Sequence, residues 1–132
     1  MSDFYLSVDL RQISGADDAE PGVIFRDDNY NYTYYTFTIS PKQKAYALSR
    51  WYNDKWKYLV NWTSTSAIVP DGWNKIEVEA VGPNFTFWIN GYLVAEAQDD
   101  TLPNGKAGLA LGFFNLGHEG VFEFYNFEIR VP

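Results

Sequence analysis

The fold of this chain is decided by the stretch Tyr32-Thr33-Tyr34-Tyr35-Thr36-Phe37-Thr38-Ile39, in which side chains of different character alternate. Tyr35, Phe37 and Ile39 share one face, which we expect to point inward. The opposite face carries Tyr32, Tyr34, Thr36 and Thr38. Aromatic and β-branched residues of this kind suit the pleated, half-buried surface of a sheet. The stretch therefore predicts a β-strand with one buried face.

The same period of two recurs on both sides of this strand. The segments 4–10 and 75–81 each place apolar residues at every second position, and a third segment alternates at Trp56, Tyr58, Val60 and Trp62. Segments with this pattern, separated by turn residues, are typical of sandwiches and barrels.

Two local signals add detail to this pattern. Asn90-Gly91 is the residue pair that favours a two-residue type I′ hairpin. The step from Phe124 to Phe127 breaks the period of two and predicts a β-bulge. We therefore predict an all-β fold, a two-sheet antiparallel β-sandwich of about ten to twelve strands with little or no helix.

Size and charge restrict the classes of function. The chain has 132 residues, which suits a single domain over 1–132, and we expect this domain to be part of a larger protein. Its formal net charge of −7 repels phosphate backbones and anionic lipid headgroups. No apolar run approaches the roughly 18–20 residues of a membrane span. Nucleic acid and membrane insertion are therefore not expected, and the absence of cysteine excludes disulfides.

Short segments in a characteristic order extend over nearly the whole chain. They are Gly22-Val23-Ile24-Phe25-Arg26, Asn31-Tyr32, Tyr46-x-Leu48, Trp56-Lys57-Tyr58-Leu59, Trp73-Asn74-Lys75-Ile76, Phe87-x-Ile89-Asn90-Gly91, Gly105-Lys106-Ala107-Gly108-Leu109 and Phe124-Tyr125-Asn126-Phe127. In this order the chain resembles the concanavalin A-like lectin/glucanase superfamily, particularly its bacterial laminin-G-like and 3-keto-disaccharide-hydrolase-like domains. The resemblance implies a jelly roll from a bacterial, extracellular or extracytoplasmic protein. This architecture hosts lectins, glycosidases, adhesion modules and spacers alike.

The residues argue against catalysis. Laminarinase-type members of the superfamily carry three acidic residues at alternate positions of one strand. Here only Glu77 and Glu79 align, and the flanking positions hold Lys75 and Val81. His118 is the single histidine and has no G-x-S-x-G partner. We therefore predict that the domain is not an enzyme, and we keep a glycoside hydrolase as the less favoured alternative.

Outward aromatic residues point instead to glycan binding. Protein surfaces hold sugars by stacking aromatic rings on the apolar face of the sugar while polar groups bond to its hydroxyls. We expect Arg26 to organise a carboxylate-rich corner beside these rings. The predicted ligand-binding residues are Arg26, Asp28, Tyr30, Tyr32, Tyr34, Trp51, Trp88, Asn115 and His118.

An interpretation from a different class of function stays open. Outward aromatic residues also cover sheets or pack under loops, and the domain then serves as a structural or protein–protein interaction module. A concave, aromatic-lined groove would favour a glycan or cell-surface polysaccharide as the partner. A flat apolar patch or an unpaired edge strand would favour a protein partner.

One acidic loop raises the question of a metal ion. Asp17, Asp18 and Glu20 lie close together in sequence, and calcium takes six to eight oxygen ligands from such loops. The spacing does not match an EF-hand, and acidic loop residues also simply face solvent. A structural calcium at these residues is the one cofactor that the sequence suggests.

Overall fold

The computed structural model describes residues 1–28, 31–113 and 117–132. These residues form ten β-strands and no helix, so no membrane-spanning helix occurs in the described ranges. The strands are β1 (Phe4–Gly15), β2 (Ala19–Asp28), β3 (Thr33–Ser40), β4 (Ala45–Tyr52), β5 (Lys55–Ser64), β6 (Asn74–Val81), β7 (Asn84–Ile89), β8 (Tyr92–Gln98), β9 (Lys106–Phe113) and β10 (Gly120–Arg130).

The strands form two five-stranded antiparallel sheets. Sheet A has the order β10-β1-β6-β7-β8, and sheet B has the order β5-β4-β3-β2-β9. Strands distant in sequence lie side by side, as β1 does with both β6 and β10. The predicted all-β sandwich with a jelly-roll arrangement is therefore confirmed.

Alternation along the strands builds the core between the sheets. Tyr35 and Phe37 of β3 are fully buried, as the sequence predicts. Phe25 of β2 stacks on Tyr35 with 5.2 Å between ring centroids and meets the edge of Phe85 from sheet A at 5.4 Å. Aromatic pairs of this kind contribute about 0.5–1.5 kcal/mol each beyond the area they bury. These rings therefore join the two sheets.

Local backbone geometry agrees with two further predictions. Asn90 and Gly91 have φ angles of 51° and 83°, the left-handed pair that a type I′ hairpin between β7 and β8 requires. In β10 the pairing with β1 shifts register between Tyr125 and Glu128, and Asn126 has a φ of 55°. The predicted bulge between Phe124 and Phe127 is confirmed.

The alternation predicted for the return strand fails at one position. Tyr58 of β5 lies opposite Ser49, and Val60 lies opposite Leu48, so the register shifts between them. Val60 consequently turns inward and packs against the core, whereas Tyr58 stays on the outer face. A bulged strand can present side chains outward on both sides of the shift.

A polar cluster attaches the segment after β8 to sheet B. The Tyr35 hydroxyl donates to Asp99 and accepts the Leu102 N–H at 3.1 Å, and Arg50 donates to Asp99 at 2.6 Å. Burial alone raises the pKa of Asp99. The hydrogen bonds from Tyr35 and Thr101 and the charge of Arg50 outweigh this effect and hold that pKa below its ordinary value. The cluster therefore favours an ionised Asp99.

Candidate functional site

A groove of about 320 Å³ lies on the outer face of sheet B, and we call it the aromatic groove. Four aromatic residues line it: Tyr34 of β3 and Trp56, Tyr58 and Trp62 of β5. Its other lining residues are Ile24, Thr36, Thr38 and Ser49, the β9 residues 109–112, and Glu20 of β2.

Strand register explains why these side chains meet. Tyr34 lies opposite Trp51, which lies opposite Trp56. Side chains directly opposite each other in an antiparallel pair point to the same face. The next row of the same face runs from Thr36 through Ser49 to Tyr58 and so adds hydroxyl groups beside the rings.

The rings of Trp56 and Tyr58 in β5 are held in place and remain exposed. Trp56 and Tyr58 are 45% and 37% exposed, and their ring centroids lie 6.4 Å apart in an edge-to-face arrangement. The indole N–H of Trp62 donates to the Tyr58 hydroxyl at 3.2 Å. Trp51 supports Trp56 from the neighbouring strand, with 6.0 Å between ring centroids. Ring surface in the groove is therefore accessible to a ligand while these contacts between the rings stay in place.

Glu20 places a carboxyl in the groove. Burial raises the pKa of Glu20 above its ordinary value, and the negative charge of Asp18 raises it further. The Asp18 carboxylate lies 2.9 Å from Nδ1 of His118. Glu20 is thus a partly buried hydrogen-bonding group among the aromatic and hydroxyl side chains of the groove.

Of the ligand-binding residues predicted from the sequence, Tyr34 lines the groove and Trp51 lies beside it on the same face. Tyr32 is 73% exposed but lies just before β3 and does not line the groove. Its φ of 52° takes it out of the regular alternation that the sequence suggested.

Two more predicted residues, Asp28 and His118, lie at a strand end and in a loop. Asp28 ends β2, and its carboxylate accepts the side-chain N–H of Asn31 at 2.8 Å. His118 contacts Asp18 instead of a groove residue. Tyr30 and Asn115 lie outside the described residues.

The orientation predicted for Arg26 is wrong. The register of β2 shifts between Phe25 and Asp28, and Arg26 adopts a left-handed φ of 51°, which turns its side chain inward. It is 1% exposed and donates to the carbonyl oxygens of Ser2 and Leu102. Its guanidinium therefore links the N-terminal segment at Ser2 to the segment after β8 at Leu102, and it does not reach the groove.

Trp88, also predicted as a ligand-binding residue, does not line the aromatic groove. Trp88 belongs to β7 of sheet A and lies opposite Glu77 and Leu93. The outer faces of the two sheets point in opposite directions. Outward alternation alone cannot show which sheet a strand joins.

Asp17, Asp18 and Glu20, the residues suggested for calcium, are not gathered into one set of ligands. Asp17 is exposed, whereas Asp18 is buried against His118. Across the described ranges, no group of three or more His, Cys, Asp or Glu side chains is arranged to hold a metal ion. Glu20 instead lines the aromatic groove.

The sequence prediction missed the three aromatic residues of β5 as site residues. Their alternation was visible, but nothing in it showed that β5 pairs with β4 and so extends the face that carries Tyr34. The informative signal is the clustering of Trp56, Tyr58 and Trp62 within one strand. An edge strand of a two-layer sandwich, as β5 is, does not need three large rings on its outer face.

Comparison with solved structures shows where this fold occurs. The carbohydrate binding module CBM66 from Bacillus subtilis matches with a TM-score of 0.82 and 20% identity, covering 99% of this chain and 76% of that one. Sheep galectin-11, solved in complex with glycerol, matches with a TM-score of 0.73 and 12% identity, covering 98% and 91%. At such identities the likeness establishes the fold.

A third match is part of a longer chain. Xylan β-1,4-xylosidase from Bacillus halodurans matches with a TM-score of 0.64 and 10% identity, over 99% of this chain and 28% of that one. No curated protein matches the sequence. A family model does match, over residues 1–130, and so the chain belongs to the 3-keto-alpha-glucoside-1,2-lyase-like domain family.

Proposed function

We propose that this domain is a non-catalytic carbohydrate-binding module whose aromatic groove holds a neutral glycan. The observation that carries the proposal is the cluster of two exposed rings, Trp56 and Tyr58, and two half-buried rings, Tyr34 and Trp62, in one groove of sheet B. Ring faces of this kind stack on the C–H face of a sugar, and each stacked ring removes apolar surface from water.

The polar groups of the groove suit sugar hydroxyls. The hydroxyls of Thr36, Thr38 and Ser49 can each donate and accept hydrogen bonds, with Thr36 and Ser49 at the buried floor of the groove, and Glu20 adds a partly buried carboxyl. A volume of about 320 Å³ is at the small end of the roughly 300–1,000 Å³ typical of ligand pockets. The groove therefore fits a short stretch of a glycan and leaves the rest of a longer chain in solvent.

The kinds of protein that share this fold support the proposal. The fold of this chain matches a carbohydrate binding module and a galectin over almost its full length. The match to part of a xylosidase chain supports a role as an accessory module within a larger protein. We place that larger protein outside the bacterial cytoplasm, where polysaccharides are met.

The proposal excludes catalysis by this domain. Glu77 and Glu79 lie on the outer face of sheet A, on the opposite side of the molecule from the groove. The Tyr5 hydroxyl donates a hydrogen bond to the Glu77 carboxylate, so this carboxylate already has a structural partner. Within the groove, Glu20 is the acidic residue among the described lining residues, whereas glycosidases use a pair of carboxyl groups.

One feature favours the alternative of a protein partner. Leu109 and Leu111 of β9 are 45% and 51% exposed, and β9 is an edge strand of sheet B. Exposed apolar residues on a sheet edge suit strand addition by another protein. Leu109 and Leu111 also line the aromatic groove, but Trp56 and Tyr58 belong to β5 at the other edge of sheet B, so substitution of these rings separates the two functions.

Affinity electrophoresis tests the proposed function. The domain is run through native gels that contain a soluble neutral polysaccharide, with xylan, levan, galactan, glucomannan and β-glucan tried in turn. Retarded migration in one of these gels, reversed by free oligosaccharide of the same type, supports glycan binding. Equal migration in every gel would contradict it and favour the protein partner.

A further inference from the structure

We propose that the outer face of sheet A carries a second, independent sugar-binding site, built on Trp73 and Tyr125. This site goes beyond the aromatic groove and does not depend on it, because the groove lies on the outer face of the other sheet. We call the pair of rings the sheet A platform.

Three neighbouring strands assemble the platform. Asp9 of β1 lies opposite Tyr125 of β10 and opposite Lys75 of β6, so all three share the outer face. Trp73 immediately precedes β6, two positions before Lys75, and therefore follows the same face. The ring centroids of Trp73 and Tyr125 lie 6.4 Å apart, and the ring planes are inclined by 55°.

Both rings are exposed, and Arg11 lies over one face of the Trp73 ring, which leaves the other face for a ligand. Trp73 is 42% and Tyr125 is 65% exposed. The guanidinium of Arg11 lies 4.7 Å from the centre of the Trp73 ring, and its Nε donates to Glu123 at 2.8 Å. The ion pair thus holds Arg11 against the indole, and a ligand that stacks on the rings meets a site that is already ordered.

A polar depression adjoins the rings. It has a volume of about 370 Å³ and is lined by Ser7, Asp9, Lys75, Asn126, Phe127 and Glu128. Asp9 connects the two parts, since it lies opposite Tyr125 and also accepts the side-chain N–H of Asn126 at 3.1 Å. Hydroxyl, amide, carboxylate and ammonium groups next to exposed rings are the combination that recognises a sugar.

The ligand class follows from this chemistry. Two carboxylates, Asp9 and Glu128, and one cation, Lys75, line the depression, so the site offers no excess of positive charge for an acidic sugar or a phosphate. The hydroxyl groups of a neutral sugar can both donate and accept hydrogen bonds, so they can pair with the donors and with the acceptors of this site. Because the platform and the groove face away from each other, one domain would hold two separate stretches of polysaccharide.

Indole N–H signals in a two-dimensional ¹⁵N–¹H NMR spectrum distinguish the two sites. The chain has five tryptophans, and substitution of each by Phe assigns its signal. Cello-, xylo-, galacto-, manno- and fructo-oligosaccharides are titrated into wild type and into Trp56→Ala, which disables the groove. We expect the Trp73 signal to move saturably with one of these sugars in both proteins.

Matched variants test the platform itself. Tyr125→Ala should weaken the titration of the Trp73 signal by about 10-fold or more, as loss of an aromatic anchor does. Tyr92→Ala removes a ring of the same sheet that is 67% exposed and lies away from the platform, and it should change nothing.

The outcomes separate this proposal from the proposed function. If the Trp56 signal moves and the Trp73 signal stays still, the platform is overturned and the groove stands. The same conclusion follows if the Trp73 signal moves in wild type but not in Trp56→Ala. Movement of Trp73 alone would support the platform and contradict the groove. Silence of both signals with every sugar would overturn both.

Discussion

The ring of Trp51 lies 6.0 Å from the ring of Trp56, across the antiparallel pairing of β4 with β5. Trp51 also lies opposite Tyr34 on its other side, so three strands present one row of aromatic residues. This row extends the outer face of sheet B to its edge at β5. The aromatic groove is therefore a product of strand pairing and cannot be attributed to a single segment.

The inward orientation of Arg26 predicts that removal of its side chain lowers the free energy of unfolding. Arg26→Ala removes the donors to the carbonyl oxygens of Ser2 and Leu102 and the contact with the Phe85 ring. We expect the free energy of unfolding in urea to fall by about 2–4 kcal/mol, since buried acceptors lose their partners.

Lys42→Ala is the control for Arg26→Ala. It breaks an ion pair with the exposed Asp71, and such surface pairs contribute about 0–1 kcal/mol. If both variants lost the same small amount of stability, the burial of Arg26 described here would be wrong.

The cluster around Asp99 predicts sensitivity to acid. A carboxyl whose pKa lies below its ordinary value stabilises the fold above about pH 4, and this stability is lost as the pH falls through the folded-state pKa. Tyr35→Phe removes one donor to Asp99 and the acceptor of the Leu102 N–H. We expect a loss of about 1–3 kcal/mol at pH 7 and a shallower loss of stability in acid.

Urea unfolding from pH 7 to pH 2 measures both effects. Tyr92→Phe, which removes an exposed hydroxyl, is the control and should follow the wild-type curve. An acid dependence of Tyr35→Phe identical to that of wild type would show that Tyr35 does not hold Asp99 in its ionised form.

Glu20 predicts a pH effect of the opposite sign. Because burial and Asp18 raise its pKa, the folded protein holds this proton more tightly than the unfolded chain does. The stability that the proton supplies is complete below about pH 4 and is lost as the pH rises through the folded-state pKa. Glu20→Gln should therefore have a higher Tm than wild type at pH 7, with no difference in acid.

Thermal unfolding at several pH values checks the prediction for Glu20. The exposed Glu96 provides the matched control, and Glu96→Gln should leave Tm unchanged at every pH. A lower Tm for Glu20→Gln at pH 7 would mean that the ionised carboxylate is stabilised by its surroundings, contrary to the geometry of the groove.

Removal of divalent cations should leave the fold unaffected. Asp18 contacts His118 and Glu20 lines the groove, so the acidic residues 17, 18 and 20 do not act as one ligand set. We expect the same Tm in EDTA and in excess calcium, measured by thermal unfolding. A Tm that rises with calcium and falls with EDTA would restore the calcium site suggested by the sequence.

The fold could be predicted from the sequence because its main signals are local. The alternation around Tyr35 and the Asn90-Gly91 pair each describe one strand or one turn. The site could not be predicted as well, because it depends on register. A bulge turned Arg26 inward, and sheet membership took Trp88 to the far side of the molecule. Trp56 joined the groove through its pairing with Trp51, which no single segment encodes.

A glycan array of neutral oligosaccharides tests the central claim most directly, with wild type, Trp56→Ala and Tyr92→Ala applied side by side. We expect saturable binding of wild type and Tyr92→Ala to a defined oligosaccharide, weakened by about 10-fold or more in Trp56→Ala at an unchanged Tm. Full-strength binding by Trp56→Ala that also survives Tyr125→Ala in the same protein, or silence of wild type across the array, would contradict the assignment of the aromatic groove as a glycan site.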